Sequence, residues 1–207
     1  LIQVQKKKLK KNKVAWVSKI NKMDKIPYIF IANEFFDSIP IKQFEKKQNS
    51  WFEKFVNFKG KQNAFFFEKK IDIKKIEKKI NFKISENQSF IEYSELGLSY
   101  LKKISKIIKK NTGGLLLIDY GYTEKKMKNT LQAISNHKFA NILSNIGNVD
   151  ITHNINFELF KKFTKQMGSL ENNLTTQKEF LTKLGIKQRA EIISKNLNFL
   201  KKADIYY

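Results

Sequence analysis

Two short runs in this 207-residue chain carry no charge, although 40 of its residues are lysine. The first, residues 28–32 (YIFIA), lies between Pro27 and Asn33; the second, residues 115–118 (LLLI), runs straight into Asp119-Tyr120-Gly121. Continuous apolar runs of this length suit strands covered on both faces, as in a parallel sheet. Each ends in a polar cluster: Asn33, Glu34 and Asp37 after the first, Asp119 and Tyr120 after the second. In an open parallel sheet the ligand crevice lies just outside the carboxyl ends of the strands. If the two strands are neighbours, an amide and several carboxylates converge there. The competing reading is helix capping, which Asn33 or Asp37 could supply alone.

The segments around these runs alternate between helix and strand. Residues 1–12 read as the end of an amphipathic helix, with Leu1, Val4 or Gln5, and Leu9 at helical spacing, and residues 14–20 read as a short strand containing Trp16. Residues 41–69 change character. Ile41, Phe44, Trp51, Phe52, Phe55, Val56, Phe58 and Phe65 to Phe67 fall in short stretches broken at Gln48-Asn49-Ser50 and Lys59-Gly60-Lys61. That pattern predicts an antiparallel meander of about three strands, inserted into the α/β alternation. From Ser94 a helix follows, with Leu96, Tyr100, Leu101, Ile104, Ile107 and Ile108 on one face, and Gly113-Gly114 ends it. Residues 123–155 read as loop-rich and hold both histidines, His137 and His153. Asn156 can cap a helix closed by Gly168. Thr176 and Glu179 have capping-box spacing for another helix, stopped by Gly185, and a last helix carries Ile186, Ala190, Ile193, Leu197 and Leu200. The expected organisation is a core part over 1–40, an inserted antiparallel cap over 41–93, and the remainder of the core with substrate-side loops over 94–207.

The net charge of +22 invites a nucleic-acid reading, but only Arg189 among the basic residues is arginine, the usual residue for bidentate base and phosphate contacts. Lys, Asn, Ile and Phe are abundant together, and their codons are rich in A and T, so compositional bias accounts for lysines scattered over solvated faces. A nucleic-acid partner is therefore not expected. No run approaches the roughly 18 apolar residues of a membrane span. Residues 1–10 lack a signal-peptide pattern, and neither end reads as a natural terminus, so the sequence is expected to be an internal segment of a longer protein. With no cysteine and two histidines, no metal site is expected, even though Asp150 and His153 stand close together. The chain has no serine elbow, no P-loop and no G-x-G-x-x-G; Gly113-Gly114 precedes a strand and cannot cradle a phosphate at a helix start.

Five segments in order, ANEFFDSIPIKQF (32–44), GGLLLIDYGY (113–122), TLQAISNHKF (130–139), GNVDITHNINF (147–157) and TQKEFLTKLGIKQRA (176–190), closely resemble the MidA-like family of S-adenosylmethionine-dependent methyltransferases. Its mitochondrial member is an assembly factor of respiratory complex I that dimethylates an arginine of a complex I subunit. The resemblance implies an α/β, class I methyltransferase (Rossmann-like) mostly parallel sheet, truncated at its N-terminus, with the antiparallel meander inserted. It implies S-adenosyl-L-methionine as cofactor and a protein substrate. The family's glycine-rich loop and its ribose-holding acid would lie upstream of Leu1, so these residues alone are not expected to act. The composition points to the cytoplasm of an AT-rich bacterium, with the mitochondrial matrix as the alternative.

The resemblance also implies roles. Asn33-Glu34 matches the strand end that faces the methyl group. Guanidinium stays protonated (pKa above about 12), so an arginine acceptor needs carboxylates to orient it. Glu34 is expected in that role, assisted by Asp37 or Asp119. Asn33, with Ala32, would bind the methionine end of the cofactor or the acceptor, and Trp16 would lie near the adenine. Tyr120, His137, Asp150, Thr152 and His153 would line the substrate side. Two other functions compete: an RNA or DNA methyltransferase, disfavoured because Asn-Glu-Phe-Phe lacks the Pro-Pro pair of those enzymes, and a non-catalytic assembly protein.

Overall fold

The structure is a computed structural model that describes residues 2–20, 25–60, 63–168, 171–195, 197, 198, 201, 203 and 205. The chain divides into two compact units, 1–170 and 171–207. The first contains both apolar runs. They form strands β1 (Tyr28–Asn33) and β6 (Gly113–Ile118), which pair in parallel with Tyr28 opposite Gly113 and Asn33 opposite Ile118. Their carboxyl ends are therefore level. Helix α3 (Glu95–Asn111) connects the two through the crossover that a parallel pair requires, and packs against both strands.

The expectation that these strands are covered on both faces needs correction. Phe30 and Ala32 turn toward the protein, while Ile29 and Ile31 are 80% and 70% exposed. α3 covers one face of the pair, and no described element covers the other. The apolar run is thus consistent with the parallel pairing but not with the burial here.

The meander is present and larger than expected. Strands β2 (Lys42–Lys47), β3 (Ser50–Lys59) and β4 (Asn63–Ile71) turn at Gln48-Asn49 and at Gly60. β5 (Phe90–Tyr93) adds to β2, giving the order β4-β3-β2-β5. Between β4 and β5 the chain forms helix α2 (Ile73–Ile80), which the sequence reading passed over although Ile73, Ile76 and Ile80 have helical spacing. Asp72 caps it by accepting the Lys74 N–H. Residues 14–20 form no strand, and α1 is shorter than expected, Ile2–Lys8. The segment expected as loop contains small sheets. β8 (Gln132–Ser135) pairs antiparallel with β9 (Lys138–Ala140) and β10 (Asp150–Thr152), while β7 (Gly121–Tyr122) pairs in parallel with β11 (Ile155–Asn156). Their strands are only two to four residues long, too short for periodicity to register.

One apolar cluster joins the meander to the parallel pair. Phe36, Phe44, Trp51, Ile91, Leu98, Leu101, Ile155 and Phe163 are buried together. On α3 the buried residues include Leu98, Leu101, Ile104 and Ile108, whereas Leu96, expected on that face, is 47% exposed. Helix α4 (Phe157–Gln166) is capped by Asn156, whose Oδ1 accepts the Leu159 N–H at 2.9 Å.

In the second unit the Thr176–Glu179 capping box closes as expected on helix α5 (Gln177–Lys183), and Gly185, in the left-handed region, precedes α6 (Ile186–Ser194). Leu197 is not helical; Leu1, Lys61 and Leu200, also used in the sequence reading, lie outside the described residues.

Candidate functional site

The polar residues after β1 and β6 meet because the two strands end in register. The Glu34 N–H donates to the Ile118 carbonyl at 2.9 Å, extending the ladder by one residue, and the chain then turns. Glu34 makes that turn with φ 45°, in the left-handed region that costs a non-glycine residue roughly 1 kcal/mol. Its carboxylate is left exposed, beside the exposed Asn33. Such strain persists only where the surroundings fix it.

Asp119 is what fixes it. Its Oδ2 accepts the backbone N–H groups of Phe36 at 3.1 Å and Asp37 at 3.3 Å, and its Oδ1 accepts the Tyr120 N–H at 2.9 Å. The carboxylate holds the turn after β1 to the end of β6. Phe36 is thereby seated in the core, edge-on to Phe160 at 5.2 Å between ring centroids. Of the acids expected to assist, Asp119 is thus engaged with backbone donors, whereas Asp37 differs. Asp37 is buried, and its Oδ1 has no hydrogen-bond partner among the described residues.

A third segment lies across these strand ends. The His153 N–H donates to the Asp37 carbonyl at 3.1 Å, and the Ile155 N–H donates to the Tyr120 carbonyl at 2.8 Å. His153 is buried, and its Nε2 also lacks a partner among the described residues. Asp150 and Thr152 lead into it on β10; Gln132 Nε2 donates to Thr152 Oγ1 at 3.2 Å. Tyr120 is 64% exposed. His137 is not brought into this cluster by any described contact. With Asn136 it forms the exposed two-residue turn between β8 and β9, both at positive φ, the geometry of a type I′ hairpin. Trp16 likewise has no described contact with this cluster: its Nε1 donates to Gln5 Oε1 at 3.0 Å, and Lys6 Nζ lies 5.8 Å from the ring centroid.

The charges at the strand ends are unlike those of the chain as a whole. Burial pushes the Asp37 carboxyl above the usual carboxylate range; Glu34 and Asp150 push the same way, and His153 opposes them. Asp119 is raised by burial and by the Asp37 charge, against its three backbone hydrogen bonds. In a chain of net charge +22, this is a locally acidic, partly desolvated site.

Three residues that the sequence reading did not single out support this segment. Thr130 Oγ1 donates to the buried Glu92 carboxylate at 2.5 Å and accepts the Asn154 N–H at 2.9 Å. Gln43 Nε2 donates to the same carboxylate at 2.6 Å. Glu92 on β5 thus holds Thr130, and Thr130 holds the peptide that follows His153. No local pattern marks these residues, since they are separated by 24 to 49 positions.

A helix on a parallel strand pair, with an amide and acids at the carboxyl ends, is an α/β arrangement, and open sheets of that kind bind ligands outside the carboxyl ends of their strands. The chain belongs to the family described as "Putative S-adenosyl-L-methionine-dependent methyltransferase", whose model matches residues 1–176. It is 29% identical over 178 residues to the mitochondrial protein arginine methyltransferase NDUFAF7 homolog of Caenorhabditis elegans, covering 85% of this chain and 42% of that protein. It is 24% identical to the human protein arginine methyltransferase NDUFAF7, mitochondrial, covering 87% and 40%. The chain therefore spans less than half the length of these curated relatives. Two crystal structures of one superfamily from Burkholderia thailandensis share the fold at 17% identity. One has a TM-score of 0.75 and covers 99% of this chain and 58% of that one. The other, bound to S-adenosyl-homocysteine, has a TM-score of 0.70 and covers 93% and 51%.

The family is S-adenosyl-L-methionine-dependent. The described residues fit that group on one side. The exposed carboxamide of Asn33 and the acids beside it suit the ammonium and carboxylate of a methionine moiety. Trp16, held against α1, does not reach the strand ends through any described contact, and no glycine-rich turn joins a strand to a helix among the described residues.

Proposed function

We propose that the whole protein is an S-adenosylmethionine-dependent protein-arginine N-methyltransferase, with a respiratory complex I subunit as its acceptor. The similarity to mitochondrial protein arginine methyltransferases favours arginine as acceptor and the mitochondrial matrix, rather than a bacterial cytoplasm, as the compartment. On this reading the β1–β6 pair is the middle of a wider, Rossmann-like parallel sheet. The cofactor, when bound, supplies a methyl group already activated on a sulfonium, so the protein's task is to orient the acceptor.

The observation that carries this reading is Glu34: an exposed carboxylate held at φ 45° on the end of β1, beside Asn33 and the acidic cluster. A carboxylate there can accept two N–H groups of a guanidinium and bias its charge away from the nitrogen that reacts. Asn33 would orient the methionine end of the cofactor, Asp119 would hold the turn that presents Glu34, and Tyr120, Asp150 and Thr152 would border the acceptor's path.

Calorimetry of S-adenosylmethionine binding to the whole protein, wild type against Glu34→Gln, tests it. Unchanged binding with methyl transfer to an arginine peptide reduced at least a hundredfold is expected. Undetectable binding by the wild type would remove the enzyme reading, and full activity of Glu34→Gln would remove Glu34 from the acceptor.

A further inference from the structure

The three-stranded sheet β10-β8-β9 borders the acidic strand ends, since β10 runs from Asp150 through Thr152 into His153, whose N–H is bonded to the Asp37 carbonyl. The register of this sheet sorts its side chains between two faces. Asp150 stands opposite Ile134 and Ile134 opposite Phe139, while Thr152 stands opposite Gln132. Directly opposed residues of an antiparallel pair share a face, and so do alternate residues along a strand, so all five side chains lie on one side. The hydrogen bond from Gln132 to Thr152 agrees with this. Ala133, on the other side, is buried.

Phe139 stands out on that face. At 82% exposure it is the most exposed of the large hydrophobic residues described. A lone exposed apolar side chain is ordinary. This one shares a row with an acid of the site, and a hairpin holds it there: Asn136 and His137 make the turn, both at positive φ, and the ladder fixes β9 against β8. An aromatic ring with two side-chain torsions on a preset backbone loses little entropy when a partner covers it. Neighbouring strands lie about 4.8 Å apart, so the Phe139 and Asp150 backbones are roughly 10 Å apart across the row. An extended chain crosses that interval in about three residues. The Asp150 charge is felt at Asp37, which puts the acidic end of the row toward the site. In a chain of net charge +22 that end attracts a basic segment that the rest of the protein repels, and the apolar end is left for a residue further along the same segment.

We infer that Phe139 is a specificity-determining residue of the acceptor site: the row Asp150, Ile134, Phe139 receives an extended segment of the acceptor protein and seats one of its apolar side chains on the Phe139 ring. The inference rests on the protein-arginine reading above and gives the acceptor a sequence preference, an arginine with an apolar residue a short way along the same extended segment. Phe139 acts on the flank of the acceptor and not on the reacting atoms.

The test uses peptides with a single arginine in a glycine-serine background and one leucine scanned along either side of it. Their binding to the whole protein saturated with S-adenosyl-homocysteine is followed by fluorescence anisotropy, and their methylation by steady-state kinetics. Wild type is expected to favour leucine at one offset at least tenfold in affinity and in KM, with kcat within twofold. Phe139→Ser should bring that peptide to the affinity and KM of the leucine-free one, and Phe139→Leu should keep most of the preference. The Tm and the S-adenosyl-homocysteine affinity of Phe139→Ser should match wild type, because the ring belongs to neither core nor cofactor site. A lowered Tm would assign the ring to the interior of the whole protein, and a tenfold weaker S-adenosyl-homocysteine affinity would assign it to the cofactor; either overturns the inference. Arginine peptides methylated with no leucine preference, or with one that survives Phe139→Ser, overturn it while the arginine reading stands. Leucine-dependent binding that Phe139→Ser removes, without methylation of any arginine peptide, leaves the row as a binding surface while the arginine reading falls. Absence of binding at every offset removes the row.

Discussion

Asp119 on β6 holds Phe36 by accepting its backbone N–H at 3.1 Å across 83 positions of sequence, and the Asp37 N–H shares the same oxygen. Both donors lie at the edge of the core, so a side chain that cannot accept leaves them unpaired. Asp119→Ala is expected to cost about 2 kcal/mol, the scale of hydrogen bonds to a charged group, and Asp119→Asn less, because one amide oxygen retains part of the set. Urea unfolding of the whole protein measures both. Equal losses would show that the charge, and not the acceptor geometry, matters.

Asp37 is expected to behave in the opposite way. Its carboxyl is raised by burial and then by Glu34 and Asp150. A carboxyl raised in the fold contributes stability that is complete below its ordinary value of 3.8 and is lost as pH rises through the folded value. Asp37→Asn should therefore stabilise the protein at pH 7 by on the order of 1 kcal/mol, about 2–4 °C in Tm, and the gain should shrink as pH falls and vanish only well below the ordinary value of 3.8. Thermal melts at pH 3, 5.5 and 7 decide it; a gain at pH 3 equal to that at pH 7 would contradict the linkage.

Thr130 links Glu92 to the Asn154 peptide through one hydroxyl. Thr130→Val keeps the shape and removes both bonds, leaving a buried carboxylate with one donor fewer. A stability loss of about 1–3 kcal/mol is expected, and Thr130→Ser should restore most of it. Amide exchange should quicken at His153 and Asn154 in the valine variant first. Unchanged protection there would detach the network from the site.

Gly113 and Gly114 are adjacent and should respond differently. At Gly113, with φ 126°, a Cβ would lie 1.9 Å from the Tyr28 carbonyl oxygen; at Gly114 it would meet open space. Gly113→Ala is expected to disrupt the start of the β1–β6 pair and to cost at least about 2 kcal/mol, whereas Gly114→Ala should stay within about 1 kcal/mol of wild type. Chemical denaturation separates the two, and comparable effects would refute the close approach.

Read alone, the sequence established what depends on neighbours within a few positions. The apolar runs 28–32 and 115–118 fixed two strands, and the side chains of Ser94, Asn156 and Thr176 mark helix starts because a cap bonds its own next turn. The glycine and Gln-Asn breaks marked the hairpins of the meander. The five ordered segments pointed to the family. Tertiary structure decided what depends on distant partners. Leu96 and Leu98 share a helix, but packing against Phe36 and its neighbours selects Leu98 for the core. Asp37 and Asp119 look equivalent as acids after strands, yet the register of β1 and β6 gives Asp119 three backbone donors and leaves Asp37 Oδ1 with none among the described residues. Glu92, Thr130 and Asn154 join only because the meander sheet and the segment leading to His153 pack together. Local sequence specifies torsion angles and caps, while the pairing of buried polar atoms is settled by which segments meet in space.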